Sequence, residues 1–249
     1  MNDSLLSNHE NNIVNGGTNM SIFNTAQTLG EIVSIMPKAS EVFKVYQIDF
    51  CCGGNRSLEL AIKEQNLDQE EILLKLDEAY ETTKKSINSV DFRTLPSADL
   101  IDYILNTHHS FAKRILPSIS EYITKILSVH GVNHEELFKV HKLFHSLKTE
   151  LEQHFIKEEE ILFPVIKQYD AKPSEELLDK IKKVMQETED EHDGAGDILK
   201  ELRKITKDYS VPDDGCTTFR LAYQQLQELE ADLFEHIHLE NNILFKRFE

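Results

Sequence analysis

Proline and glycine are scarce in this 249-residue chain, at six and nine residues. Runs of β-branched residues are few as well, so little argues for strands and the composition favours an all-α protein. Cysteine is scarcer still. Three residues, two of them adjacent, exclude a disulfide framework of the secreted kind. Positive charge is also short: 27 Lys and Arg against 44 Asp and Glu leave a formal charge of −17, spread along the chain without a basic patch. Nucleic acid and anionic membrane surfaces are therefore poor partners. No apolar run is long enough to span a bilayer, and Met-Asn-Asp-Ser-Leu-Leu-Ser-Asn at the start has neither a basic n-region nor an apolar h-region. Both absences point to the cytosol. A hydrophobic share of 40% is enough for one large core, or for one core and a small accessory unit.

Residues 1–24 are polar at the start, with Gly16-Gly17, and read as a disordered tail. From Thr28 the pattern is one of short helices, over about 29–35, 37–46 and 57–65, with a longer one after Asp68 whose inner face carries Ile72, Leu73 and Leu76. Asp49-Phe50-Cys51-Cys52-Gly53-Gly54 interrupts them as a turn. Residues 25–84 thus form a small helical domain, stable only if docked or dimerised, so a homodimer is one expectation. A linker over 85–95 leads into four long helical patterns: Ser97 to Val129, Glu135 to Tyr169, Ser174 to Asp208, and one from the 210–216 loop to Phe248. Pro117 predicts a kink or break in the first, and Pro164 a bend late in the second. Short connections make neighbours antiparallel, so residues 96–249 read as an up-down-up-down four-helix bundle.

A ten-residue pattern, H-x-x-x-E-x-x-I-L-F, occurs twice, from His154 to Phe163 and from His236 to Phe245. On a helix, His154 and Glu158 lie about 40° apart and about 6 Å along the axis, as do His236 and Glu240. The Ile-Leu-Phe triplet turns both polar groups inward. His109 lies 45 residues before His154, and His192 lies 44 residues before His236. The bundle therefore reads as a helical hairpin repeated, each half giving one His from its first helix and one His-x-x-x-Glu from its second. Four imidazoles and two carboxylates in a core need partners. Two carboxylates can bridge two metal ions, leaving two imidazoles for each. The donors suit iron, leave manganese open and disfavour structural zinc.

The other histidines fit this face poorly. His141 and His145 lie about 220° and 180° from His154, and His238 about 200° from His236, so all three should face away, the first two as an exposed pair. Glu159 and Glu160 diverge from His154 by about 140° and 240°, leaving Glu158. His108 should turn toward a neighbouring helix or solvent. His130 and His134 flank the Gly131 turn, where helix-end capping is the plain reading. Glu159, Glu191 and Asp193 are each able to orient a ligand imidazole. Cys51 and Cys52 are either a redox or metal-handling pair or two small buried residues. Cys216 reads as an ordinary loop or core cysteine.

Taken together, these motifs resemble those of the iron-sulfur cluster repair di-iron proteins of the ScdA/YtfE type. The resemblance spans about residues 25–249. It rests on the Asp49 to Gly54 turn, His109 eight residues before Pro117, His154-x-x-x-Glu158 followed by Leu-Phe-Pro, Glu191-His192-Asp193, and His236-x-x-x-Glu240-Asn-Asn. The second repeat departs by ending Leu-Phe-Lys246, without the proline. The resemblance implies a hemerythrin-like bundle with an oxo- and carboxylate-bridged pair of iron ions. His109, His154, His192 and His236 would be terminal ligands, Glu158 and Glu240 bridges, and Cys51 and Cys52 the family's cysteine pair. It further implies a cytoplasmic stress protein that repairs iron-sulfur clusters damaged by nitric oxide or peroxide, by donating iron to the damaged proteins. Two other readings accompany it: an enzyme reducing nitric oxide or nitrite, and a hemerythrin-like oxygen or iron sensor.

Overall fold

The computed structural model describes residues 22–84 and 91–249. Of the expected tail over 1–24, residues 1–21 lie outside the described residues, as do residues 85–90 of the expected linker over 85–95. Ile22 donates its backbone N–H to Asp77 Oδ1, and Phe23 is buried against the Tyr80 ring.

Four helices build the N-terminal region: α1 (Leu29–Ile35), α2 (Ala39–Val45), α3 (Leu58–Gln65) and α4 (Gln69–Lys84). Their starts follow from short polar side chains. Thr28 Oγ1 accepts from the N–H of Glu31, whose carboxylate accepts from the Thr28 N–H in return, a reciprocal capping box. Ser57 Oγ caps α3 at Leu60, and Asp68 Oδ1 accepts from Glu70 and Glu71 ahead of α4. Leu29, Ile32, Phe43, Phe50, Leu58 and Ile72 form the core between them.

The C-terminal part is the expected bundle of four rods. The first joins α5 (Ser97–Ile104) to α6 (Ser110–His130), and the second joins α7 (Glu136–Lys157) to α8 (Phe163–Ala171). α9 (Glu175–Ile205) is the third, and α10 (Thr217–Leu239) begins the fourth, which closes on a 3₁₀ turn at Phe245–Arg247. α6 packs on α7 and α10, and α7 packs on α9. Beyond an isolated bridge between Thr28 and Ser57, no strand pairing occurs among the described residues.

The expected break at Pro117 is absent. α6 runs through it without interruption, with Pro117 on the exposed face of the helix. Pro164 is the second residue of α8 and directly follows the π-helical turn at Glu158–Leu162 and Phe163. The rods depart from α-geometry elsewhere, in three π-helical turns at Leu105–His109, Glu158–Leu162 and Glu240–Leu244. Such turns insert a residue into the helical ladder and concentrate at functional sites. Here one ends on His109 and the other two begin on Glu158 and Glu240. They mark a polar layer between two apolar clusters, one including Ile115, Phe144 and Leu226, the other Ile104, Phe163 and Phe245.

Candidate metal centre

All six side chains picked out by the repeat converge on that layer. Each is buried, and Glu158 and Glu240 are 0% exposed. The ligand atoms form two groups, His109 with His236 and His154 with His192, each including both glutamates, and within a group the atoms all lie within 4.8 Å of one another. Glu158 turns Oε2 toward His109 Nε2 at 3.3 Å and Oε1 toward His154 Nε2 at 3.2 Å. Glu240 turns Oε1 toward His236 Nε2 and Oε2 toward His192 Nε2, each at 3.2 Å. Each carboxylate thus offers one oxygen to each imidazole pair. Each pair takes one histidine from either half of the repeat.

The contacts are close but do not satisfy these atoms. All four carboxylate oxygens, with His109 Nε2 and His236 Nε2, are buried without a hydrogen-bond partner among the described residues. The facing His154 and His192 Nε2 atoms are 3.2 Å apart, a contact that only one proton can occupy. Buried polar atoms are nearly always paired, so six orphans in one cavity call for something between them. A pair of divalent cations fits, since every orphan is a nitrogen or oxygen ligand atom whose lone pair a cation would accept.

The rear nitrogens are held. His109 Nδ1 lies 2.7 Å from Glu159, His154 Nδ1 lies 2.9 Å from Glu191, and His192 Nδ1 lies 2.8 Å from Asn241 Oδ1. Each acceptor fixes the proton on Nδ1 and leaves the Nε2 lone pair aimed inward. Lys113 and Lys157 neutralise the two acidic acceptors from outside. Contact with His154, ahead of Lys157, holds the Glu191 carboxyl down to about 2. Burial alone would neutralise the inner carboxylates. The imidazoles override it, chiefly His236 at Glu240, so Glu240 stays well below and Glu158 below the usual carboxylate range. Burial likewise pulls His154 down, but Glu158 outweighs it and lifts the imidazole to about 10. The two buried carboxylates therefore stay ionised, and the pull they exert on the neighbouring imidazoles is one that cations would answer.

Of the three acceptors foreseen, Glu159 and Glu191 serve, while Asp193 lines a cavity instead. Asn241 was not foreseen. Its signal lay in the repeat, because Asn241 follows Glu240 as Glu159 follows Glu158, and each holds the histidine of the rod before it. His108 does turn to a neighbouring helix, where it pairs with Asp232 at 3.0 Å and stacks on His236. His238 is outside the cluster, buried against Phe50. His141 and His145 are half-buried, with ring centroids 4.2 Å apart, rather than exposed, and also lie outside it.

Cys51 and Cys52 are free thiols whose turn packs onto the fourth rod. Asn242 Nδ2 donates to the Cys51 carbonyl at 3.1 Å, and the Cys52 thiol reaches the His192 carbonyl oxygen at 3.4 Å. The neighbouring thiol, burial and Asp49 push the Cys51 thiol well up.

Comparison with known proteins agrees with this geometry. Residues 25–80 match the family described as "Domain of Unknown function (DUF542)", the ScdA N-terminal domain, and residues 100–248 match "Hemerythrin HHE cation binding domain". The chain is 33% identical over 220 residues to "Iron-sulfur cluster repair protein ScdA" of Staphylococcus haemolyticus, covering 88% of this chain and 96% of the relative. It is 36% identical over 221 residues to "Iron-sulfur cluster repair protein YtfE" of Citrobacter koseri, and 37% identical to that of an Enterobacter species, each alignment covering 89% of this chain and 96% of the relative. With a buried His/Glu cluster able to coordinate a di-iron centre, the chain belongs to the ScdA/YtfE family of iron-sulfur cluster repair proteins and carries its hemerythrin-like domain.

Proposed function

We propose that Glu158 and Glu240 each bridge two iron ions, with His109 and His236 completing one site and His154 and His192 the other. The chain would restore damaged iron-sulfur clusters by giving up this iron as cargo. The observation that carries this reading is the division of each carboxylate between two imidazole pairs, with all four oxygens otherwise unpartnered. Bound iron supplies Lewis-acid and one-electron chemistry. The chain's own part is to set the donors: Glu159, Glu191 and Asn241 hold the Nδ1 protons, and the two apolar clusters exclude bulk water. The printed names of the relatives support proteins with damaged iron-sulfur clusters as partners. No helix among the described residues is long and apolar enough to cross a membrane, which accords with a cytoplasmic setting.

Protein purified without oxygen should contain two irons per chain, as counted by metal analysis and Mössbauer spectroscopy. Glu158→Gln and Glu240→Gln should each lose this paired signal. Ferrous-loaded protein should reactivate a cluster-damaged dehydratase while its own iron falls. Iron that stays bound during reactivation would refute donation. A second reading draws on a cavity of about 20 Å³ beside His154, His192 and His236, room for one small molecule such as nitric oxide. That enzymatic reading requires repeated turnovers to nitrous oxide under a reductant, and a single turnover would count against it.

A further inference from the structure

We propose that Asp49, Cys51 and Cys52 form a second metal site, separate from the His/Glu cluster, that binds one borderline-soft divalent cation such as ferrous iron or zinc. The two sulfurs are 3.8 Å apart, and Asp49 Oδ1 is 3.3 Å from Cys51 Sγ. One ligand atom from each of the three residues lies within 4.8 Å of the other two. Metal–sulfur bonds of about 2.3 Å at the tetrahedral angle separate two thiolates by about 3.8 Å, so the pair is already spaced for one ion. Thiolate donors exclude magnesium and calcium.

The surroundings hold this arrangement and leave one side open. Asp49 is fixed by Lys200 at 2.8 Å through Oδ2 and by the Gly53 N–H at 3.1 Å through Oδ1. Asn242 anchors the turn through the carbonyls of Phe50 and Cys51. Cys52 and Asp49 line a cavity of about 870 Å³ whose rim includes the exposed Asp197 and Lys204. Three protein ligands and a fourth position facing such a cavity describe a site that exchanges its ion, unlike a closed structural site. Its inner edge meets the bundle, since Cys52 Sγ touches the backbone of His192. The site therefore lies between the His/Glu cluster and the cavity. Binding replaces two thiol protons, which pass to solvent, by one divalent cation, and release reverses this with no electron transferred. The assignment of this site as a way station for iron rests on the proposed donation. The site itself does not.

The test is titration of the full-length apo-protein with Co²⁺ under anaerobic conditions. Three equivalents should bind, one with a sulfur-to-cobalt charge-transfer band in the near ultraviolet. Cys51→Ser/Cys52→Ser should lose that band and one equivalent while keeping two, which also reports that the bundle is folded. Asp49→Asn should keep the band but weaken that equivalent by about tenfold or more, since loss of even an outer partner costs that much. Cys216→Ser should change nothing. Absence of the band in the unsubstituted protein, or its survival in the double Ser variant, overturns the proposal. A band without dehydratase reactivation would instead leave the site standing and refute donation.

Discussion

A Cβ added to Gly30 would lie 2.5 Å from Oδ1 of Asn242, closer than real side chains approach. α1 and the π-helical turn at Glu240–Leu244 are therefore fitted to each other. A Cβ on Gly54 would meet the same oxygen at 2.4 Å, so one asparagine seats both α1 and the cysteine turn. Absence of a side chain at residue 30 is thus a packing requirement.

Gly30→Ala should destabilise the protein by about 1–3 kcal/mol, as overpacking does. The three nearest neighbours of the added methyl all belong to the Asn242 side chain. Asn242→Ala should therefore relieve much of the loss, and Gly30→Ala/Asn242→Ala should be more stable than the two single losses summed. Urea denaturation of the four proteins measures this. Strict additivity would show that the clash is relieved elsewhere.

Glu159 and Asn241 hold Nδ1 of His109 and His192 from equivalent places in the repeat. Glu159→Ala and Asn241→Ala should each weaken iron binding by about 10–100-fold without unfolding the bundle. Competition against a ferrous chelator, with circular dichroism as the fold control, reads both effects. Unchanged affinity in both variants would remove these residues from any positioning role.

Cys216 is exposed at the start of α10, with His130 Nε2 at 3.3 Å. The backbone N–H of Phe219, and then His130, bring its thiol down to about 7. Thiolate is the reactive form, so iodoacetamide should modify Cys216 well below pH 9 and far ahead of the buried Cys51. His130→Ala should move the midpoint of the rate–pH curve upward. Peptide mapping of the alkylated sites against pH decides the matter, and equal labelling of Cys51 and Cys216 at pH 7 would contradict it.

Arg203 clamps Glu230, which is 1% exposed. Arg203→Met should cost about 3–5 kcal/mol by stranding that carboxylate, whereas Arg203→Met/Glu230→Leu should recover most of the loss. Burial raises the Glu230 carboxyl above its ordinary 4.5 even beside Arg203. The folded chain therefore binds this proton more readily than the unfolded chain, and stability from this group falls as pH rises from 4.5 through the folded value. The loss should deepen in Arg203→Met, so its deficit should shrink on acidification toward pH 4.5. Denaturation across pH would expose the opposite trend if it exists.

Much of the centre was legible because its signal is local. Four-residue spacing places His154 beside Glu158 and His236 beside Glu240 whatever the rods pack against. The near-equal intervals from His109 and His192 extended that reasoning to a whole hairpin. Short polar caps at Thr28, Ser57 and Asp68 likewise announce helix starts from nearest neighbours. The π-helical turns were not legible, since a uniform 100° per residue cannot register one extra residue in a turn. Glu159 was named as able to orient a ligand imidazole, but that reckoning did not say which one, and the imidazole it holds is His109 on another rod.

The chain alone determined the all-helical class, the repeated hairpin and the inner faces of the rods, because periodicity is a property of consecutive residues. Only the tertiary structure decided which imidazole shares which carboxylate oxygen, that Asn241 holds His192, and that Asn242 seats the cysteine turn. The last two pairs join different elements, 49 residues apart for Asn241 and His192 and 191 for Asn242 and Cys51. Nothing in either segment encodes the other's position until the apolar faces have closed on each other.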